Sequence, residues 1–60
     1  MIETLLRKYL PDVQIFRRSV YRYAELGGEI PETLVLSLVA CGAEVRVYRH
    51  HGVTATVVRF

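Results

Sequence analysis

An uncharged run near the middle of the chain restricts what this protein can fold into. Between Thr33 and Ala43 no residue is charged, and seven of the eight residues from Leu34 to Cys41 are apolar. The chain has 60 residues, and a domain of that size buries only about 60% of the surface that its unfolded chain exposes. The run therefore predicts apolar surface that one small core does not cover, and hence a partner or a second copy of the chain.

The length predicts a single small domain over residues 1–60. Apolar burial and ordering entropy nearly cancel at this size, so small domains often need disulfides, a metal or oligomerisation. Cys41 is the only cysteine, which excludes a disulfide within the chain. The only other soft metal ligands are His50 and His51, and neighbouring residues on a strand point to opposite faces. We therefore expect no metal and no cofactor, which leaves oligomerisation.

Charge and hydropathy favour a cytoplasmic protein without a membrane partner. The net charge is +2, and 52% of the residues are apolar, which argues against disorder. The longest apolar segment covers eight residues and already includes Ser37, whereas a membrane span needs about 20. Glu3 and Arg7-Lys8 do not fit a secretory signal.

Apolar spacing predicts two helices in the first half of the chain. Apolar residues recur at helical spacing over residues 2–10, and Pro11 ends that run. Residues 11–26 divide on a helical wheel into an apolar half and a basic half, and Gly27-Gly28 follows as a stop signal. A strand at residues 13–16 is the alternative, but Arg17-Arg18-Ser19 is a poor hairpin turn, so a helix is expected.

The second half of the chain predicts a third helix and then a hairpin. Pro31 and Gly42 are typical of the start and end of a helix that contains the uncharged run, although a strand is the alternative there. Residues 44–50 alternate, residues 53–60 are rich in Val and Thr, and His51-Gly52 suits the turn between them. The expected fold class is α+β, with three short helices followed by a C-terminal antiparallel β-hairpin whose last strand has a free edge.

A weak internal similarity connects the two halves of the chain. Residues 12–18 resemble residues 44–50 in type, and residues 3–6 resemble residues 32–35 at a slightly shorter offset. Both offsets are near the length of known structural repeats.

One junction in the second half resembles a repeat family. Gly42-Ala43-Glu44-Val45, followed after a short interval by Gly52-Val53-Thr54-Ala55, is similar to the junction between two ankyrin repeats. Leu34-Val35 and Leu38-Val39 lie roughly where that family's second helix carries apolar residues, so that the resemblance covers residues 32–55. It implies degenerate ankyrin-like helical repeats as the alternative fold, and protein binding rather than catalysis.

No residue pattern indicates an enzyme. Ser19 and Ser37 lie in predicted helices and have no neighbouring base in the sequence. The glutamates are scattered without a spacing that pairs two carboxylates. Gly27-Gly28 lacks the flanking residues of a phosphate-binding loop. We expect a non-catalytic protein.

The leading functional hypothesis is a protein-interaction or regulatory module. It acts as a homodimer or docks on a larger protein, through the apolar helix and an edge strand. The residues predicted at this interface are Val35, Leu36, Val39, Val53, Val57 and Phe60.

The alternative is a winged-helix-like nucleic-acid-binding protein with a basic helix face and a basic hairpin. Its third helix carries no side chain that reads base edges, so any contacts would be to phosphates. The residues predicted for this role are Arg17, Arg18, Arg22, Arg46 and Arg49.

Overall fold

The chain alternates one helix with two strands, twice. A computed structural model describes all residues from 1 to 60. Its elements are α1 (Ile2–Tyr9), β1 (Phe16–Arg18), β2 (Tyr21–Gly27), α2 (Glu32–Ala40), β3 (Glu44–His50) and β4 (Val53–Arg59). The strands form one antiparallel sheet in the order β1-β2-β4-β3. The α+β class is confirmed, but the fold contains two helices and four strands rather than three helices and one hairpin.

The ends of both helices follow from local sequence. α1 ends before Leu10, whose extended backbone (φ −136°, ψ 95°) is the conformation favoured before a proline. α2 is followed by Gly42 at φ +97°. The Gly42 amide donates to the carbonyl of Val39, and the Ala43 amide donates to the carbonyl of Leu38, both at 2.9 Å. This pair of bonds is a Schellman motif, and it confirms the predicted end of the helix at Gly42.

The helix predicted over residues 11–26 is wrong, because this region contains the hairpin of β1 and β2. Ser19 adopts a positive φ of 56°, which lets a two-residue turn form without a glycine. Along β2, Ala24 and Leu26 point to one face and are buried, while Tyr21 and Tyr23 point to the other. The residues predicted to form the second half of an amphipathic helix thus form a strand that is hydrogen-bonded to β4.

The predicted C-terminal hairpin is confirmed, but its last strand has no free edge. His51 (φ 50°) and Gly52 (φ 77°) both adopt positive φ, as a type I′ turn requires. β4 pairs with β3 on one side and with β2 on the other, so the expected edge at Val53–Arg59 is wrong and the edge strands are β1 and β3. β4 was predicted to be an edge strand because the residues of its partner β2 were assigned to a helix. Val57 and Val58 also lie in a strand, where the resemblance to an ankyrin-like repeat implies a helix.

The internal similarity of the sequence corresponds to a structural repeat with one uniform offset. The offset that relates residues 12–18 to residues 44–50 also separates Ser19 from His51, which occupy the two hairpin turns. It separates Leu6 from Leu38 as well, and each of these is the fully buried residue of its helix. The helices therefore follow this longer offset rather than the shorter one that residue type suggested, and the repeating unit is α-β-β.

The core lies between the two helices and one face of the sheet. Seven apolar residues form it: Leu6, Val13, Ala24, Leu26, Leu38, Ala43 and Val58. The one buried polar side chain, Thr56, donates its hydroxyl to the carbonyl of Gly28 at 2.7 Å, which satisfies it. Since Ala24, Leu26 and Val58 point toward the helices, the alternating residues of each strand point away from them. That other side of the sheet carries no helix. Neither α1 nor α2 is long and apolar enough to span a membrane.

Candidate functional site

The outward side of α2 is apolar and open to solvent. Leu36 is 62% exposed and Val39 is 52% exposed. Val35 is half-buried, and Ala40 is exposed beside them. These four residues lie at the i, i+3 and i+4 spacings that form one continuous helix surface. Val35, Leu36, Val39 and Ala40 are called the α2 surface below.

The polar groups of α2 leave this surface without charge. Ser37 is exposed, but its hydroxyl donates to the carbonyl of Thr33 at 3.0 Å, one turn earlier. Glu32, in the first turn, is the only charged residue of the helix, and the last turn has no basic residue. A helix that is apolar on nearly all sides is normally buried, yet α2 buries only Leu38 fully.

α1 has the opposite character at the positions that correspond to the α2 surface. The repeat relates Val35, Leu36, Val39 and Ala40 to Glu3, Thr4, Arg7 and Lys8. Two arginines bind the Glu3 carboxylate: Arg7 Nε lies 3.3 Å from one oxygen and Arg22 Nη1 lies 3.2 Å from the other. The outward side of α1 is thus suited to water, whereas that of α2 is not.

The side of the sheet without helices forms a second exposed surface, called the open face below. Residues that are paired across the strands share a face, so the register decides which side chains it contains. The large side chains on it are Phe16, Arg18, Tyr21, Tyr23, Glu25, Glu44, Arg46, Tyr48, His50, Val53, Val57 and Arg59. Eight of them line a depression of about 420 Å³: Arg18, Tyr21, Tyr23, Glu44, Arg46, Tyr48, Val57 and Arg59.

Aromatic rings are concentrated on the open face. Phe16 and Tyr23 are cross-strand partners whose rings stack with centroids 5.3 Å apart and an interplanar angle of 26°. Tyr21 lies 6.3 Å from Tyr23, and the Arg59 guanidinium lies 4.9 Å from the centroid of the Tyr21 ring. Tyr48, on the far edge strand, is 53% exposed. The face therefore carries an aromatic cluster on β1 and β2 and one separate, accessible ring on β3.

Positive charge exceeds negative charge around the depression. Glu44 is its only carboxylate, and two guanidiniums share it: Arg46 Nε at 3.1 Å and Arg59 Nη2 at 3.7 Å. Arg18 has no ion-pair partner. Glu25 also lies on the open face, beside Val57 and outside the depression. The depression thus combines three arginines with one carboxylate.

The residues predicted for a protein interface do not form one surface. Val35, Leu36 and Val39 lie together on α2. Val53 and Val57 lie on the open face of β4, on the opposite side of the sheet from the helices. Phe60 packs against the core and under the Arg22 guanidinium, 4.7 Å from the ring centroid. Only the first three define a common contact surface.

The arginines predicted for nucleic-acid binding lie on both sides of the sheet. Arg18 and Arg46 are on the open face, whereas Arg17, Arg22 and Arg49 point to the helix side. Arg22 pairs with Glu3, and the Arg49 guanidinium donates to Glu29 at 2.6 Å. The winged-helix arrangement is absent, because a hairpin replaces its second helix.

Sequence reasoning missed the residues that complete the open face, namely Tyr21, Tyr23, Tyr48 and Arg59. The apolar positions change phase between Tyr23 and Ala24, so strand alternation is not continuous and helical wheel spacing fits the same residues.

The lone cysteine and the two histidines do not build a metal site. Cys41 is the C-cap residue of α2 and is exposed. His50 and His51 come within 4.1 Å of each other, against the expectation that they diverge, since His51 belongs to the turn and not to a strand. No group of three His, Cys, Asp or Glu side chains is placed to hold a metal ion.

Comparison of the chain with protein-family models, curated proteins and solved structures found no match.

Proposed function

We propose that this protein is a small non-catalytic interaction module that forms a homodimer through the α2 surface. The observation that carries the proposal is the contrast between the two helices of the repeat. At equivalent positions α1 has Glu3, Thr4, Arg7 and Lys8, and α2 has Val35, Leu36, Val39 and Ala40. A helix side with that composition is typical of a contact surface rather than of a solvated one.

A second copy of the chain fits the α2 surface better than a charged partner does. In a two-fold dimer residue i of one copy meets residue j of the other, and j meets i, so a charge on the surface needs an opposite charge on the same surface to pair with. The α2 surface has no charged side chain, and the Ser37 hydroxyl beside it is already bonded within the helix. Contact between two copies would therefore bury apolar groups without leaving a charge unpaired.

The accessible area of the chain is large enough to include an interface. The chain exposes 4545 Å², whereas a compact monomer of 6.9 kDa is expected to expose about 4,000 Å². The excess of about 500 Å² is of the same order as the roughly 800 Å² that each partner contributes to a standard interface. Only eight of 60 residues are buried, so association would add stability that the small core lacks.

A matched pair of substitutions tests the proposal. Leu36→Glu places a charge in the centre of the α2 surface, and Thr4→Glu places the same charge at the equivalent exposed position of α1. Each copy of the dimer loses roughly 2 kcal/mol of apolar contact in Leu36→Glu. We expect the dissociation constant, measured by sedimentation velocity, to rise at least about a hundredfold.

The Thr4→Glu chain is the control and is expected to dimerise like the unsubstituted chain. A reducing agent keeps exposed Cys41 from forming an intermolecular disulfide. Circular dichroism establishes that both variants remain folded. Equal dimerisation of the two variants would contradict an interface on α2.

A further inference from the structure

We propose that the open face binds single-stranded nucleic acid, with bases on its aromatic rings and phosphates on its arginines. This activity goes beyond dimerisation and uses the other side of the molecule. The helices and the α2 surface lie on one side of the sheet, and the open face lies on the other. A dimer formed through α2 would leave both open faces free.

The aromatic side chains are placed so that unpaired bases can stack on them. Phe16 and Tyr48 are the exposed rings of the face, at 42% and 53%. They lie on the two edge strands, about 14 Å apart across the sheet and four residues, or about 13 Å, apart along it, which separates them by about 20 Å. Between them the ring of Tyr23 stacks on Phe16, which holds that ring in place. Stacking on such rings accepts any base, because every base has a π face.

One row across the sheet leaves room for a base beside Tyr48. Tyr48 is paired with Ala55, and Ala55 is paired with Gly27 on the next strand. A Cβ atom built on Gly27 would have no other atom within 4 Å, so the surface above this glycine is open. The row therefore has one large ring, that of Tyr48, at its end and two small residues, Ala55 and Gly27, beside it.

The arginines supply the charge that a polyanion needs. Arg18, Arg46 and Arg59 line the depression, and only Glu44 is available to neutralise them. The same charges disfavour a second copy of the chain on this face, because a surface with three guanidiniums and one carboxylate cannot neutralise a copy of itself. Charge thus distinguishes the two surfaces: the uncharged one suits a copy, and the basic one suits phosphates.

The exposed rings of the face favour a single strand over a duplex. Reading duplex DNA requires an element that enters a groove, and bases within a duplex cover each other's faces. The uncharged α2 surface has no basic side chain for a groove. Exposed rings on a sheet instead contact bases that are already unstacked.

Fluorescence anisotropy with a fluorescein-labelled oligouridine of about 12 nucleotides tests the proposal. With three phosphate contacts, the affinity is expected to fall about 20-fold between about 50 mM and about 200 mM salt. Tyr48→Ala is expected to weaken binding about tenfold, and Tyr48→Phe to preserve it, because the ring and not the hydroxyl carries the stacking.

Neighbouring residues on the same strands provide matched controls. Arg18→Ala and Arg46→Ala remove charge from the open face, and each is expected to weaken binding several-fold and to lower the salt dependence. Arg17→Ala and Arg49→Ala remove the same charge from the helix side of β1 and β3 and are expected to have little effect.

Three results would overturn the proposal. The first is no binding of the oligonucleotide at low salt. The second is an equal loss of affinity for substitutions on the two sides of the sheet. The third is binding of duplex DNA or polyglutamate that is as tight as that of oligouridine and unaffected by Tyr48→Ala, which would indicate a general anion surface. Leu36→Glu separates this activity from dimerisation, since a monomer of that variant is expected to retain an intact open face.

Discussion

α1 and α2 occupy equivalent places in the α-β-β repeat but differ in what they present to solvent. Both bury one leucine completely, Leu6 in α1 and Leu38 in α2. On their outward sides α1 carries Glu3 and Arg7 in an ion pair, whereas α2 carries Val35 and Val39 at the corresponding positions. Packing against the core thus selects the same residue in both helices, whereas the residues on their outward sides differ in kind.

The difference indicates that the apolar surface of α2 is not a requirement of the fold. If the architecture itself needed an apolar outward side at this position, α1 would be expected to have one as well. A charged and hydrogen-bonded outward side is evidently compatible with the same packing against the sheet. The apolar residues of α2 are therefore better explained by contact with another molecule.

The largest expected effect comes from giving α2 the outward residues of α1. The triple substitution Leu36→Thr, Val39→Arg and Ala40→Lys copies Thr4, Arg7 and Lys8. We expect a folded monomer at every concentration accessible to sedimentation, because like charges would meet across the two-fold axis and the apolar contact is gone. A dimer of undiminished affinity would show that α2 lies outside the interface.

The two core leucines are expected to be equivalent, in contrast to the surfaces. Leu6→Ala and Leu38→Ala each delete a fully buried side chain, and each should lower the free energy of unfolding by about 2 to 5 kcal/mol. Urea unfolding at matched protein concentration measures both. A cost confined to one of the two leucines would mean that the units do not share the core equally.

Substitutions in the two hairpin turns should raise the free energy of unfolding by smaller and similar amounts. Ser19 and His51 both hold positive φ, which costs a residue with a side chain more than it costs glycine or asparagine. Ser19→Gly and His51→Asn fit the residue preferences of their turns. Each is expected to raise the free energy of unfolding by about 0.5 kcal/mol, as measured by urea unfolding. A loss of stability in either variant would contradict the turn assignment.

The smallest expected effect is that of the ion pair on α1. Arg7 lies 3.3 Å from Glu3, and both side chains are well exposed to solvent. Glu3→Gln removes the charge of the pair but keeps the hydrogen bond from Arg7 Nη1 to the carbonyl of Val13 at 3.2 Å. It is expected to change the free energy of unfolding by less than about 0.5 kcal/mol and to leave dimerisation unchanged. A marked change in the dissociation constant would place α1, and not only α2, at the interface.

The elements that sequence predicted correctly have clear local signals. Pro11, Pro31 and Gly42 limit the two helices, and His51-Gly52 supplies the turn of the last hairpin. The uncharged run was also interpreted correctly as apolar surface that the core does not cover, since Leu36 and Val39 are more than half exposed.

The first hairpin lacked such signals. Its turn has Ser19 where glycine is usual, and Tyr21 and Tyr23 place aromatic rings on the solvent side of β2 while Ala24 and Leu26 occupy its core side. Alternation is hidden when both faces of a strand are apolar, so the same residues fit a helical wheel. Missing β2 also placed β4 at an edge, and it hid the aromatic part of the open face. That face is created by pairing between distant strands, which sequence spacing does not specify.

Sedimentation equilibrium of the unsubstituted chain, with Cys41 kept reduced, tests the central claim of dimerisation most directly. We expect the measured mass to rise toward twice 6.9 kDa as the concentration increases through the micromolar range. A mass that stays at 6.9 kDa up to millimolar concentration would contradict it.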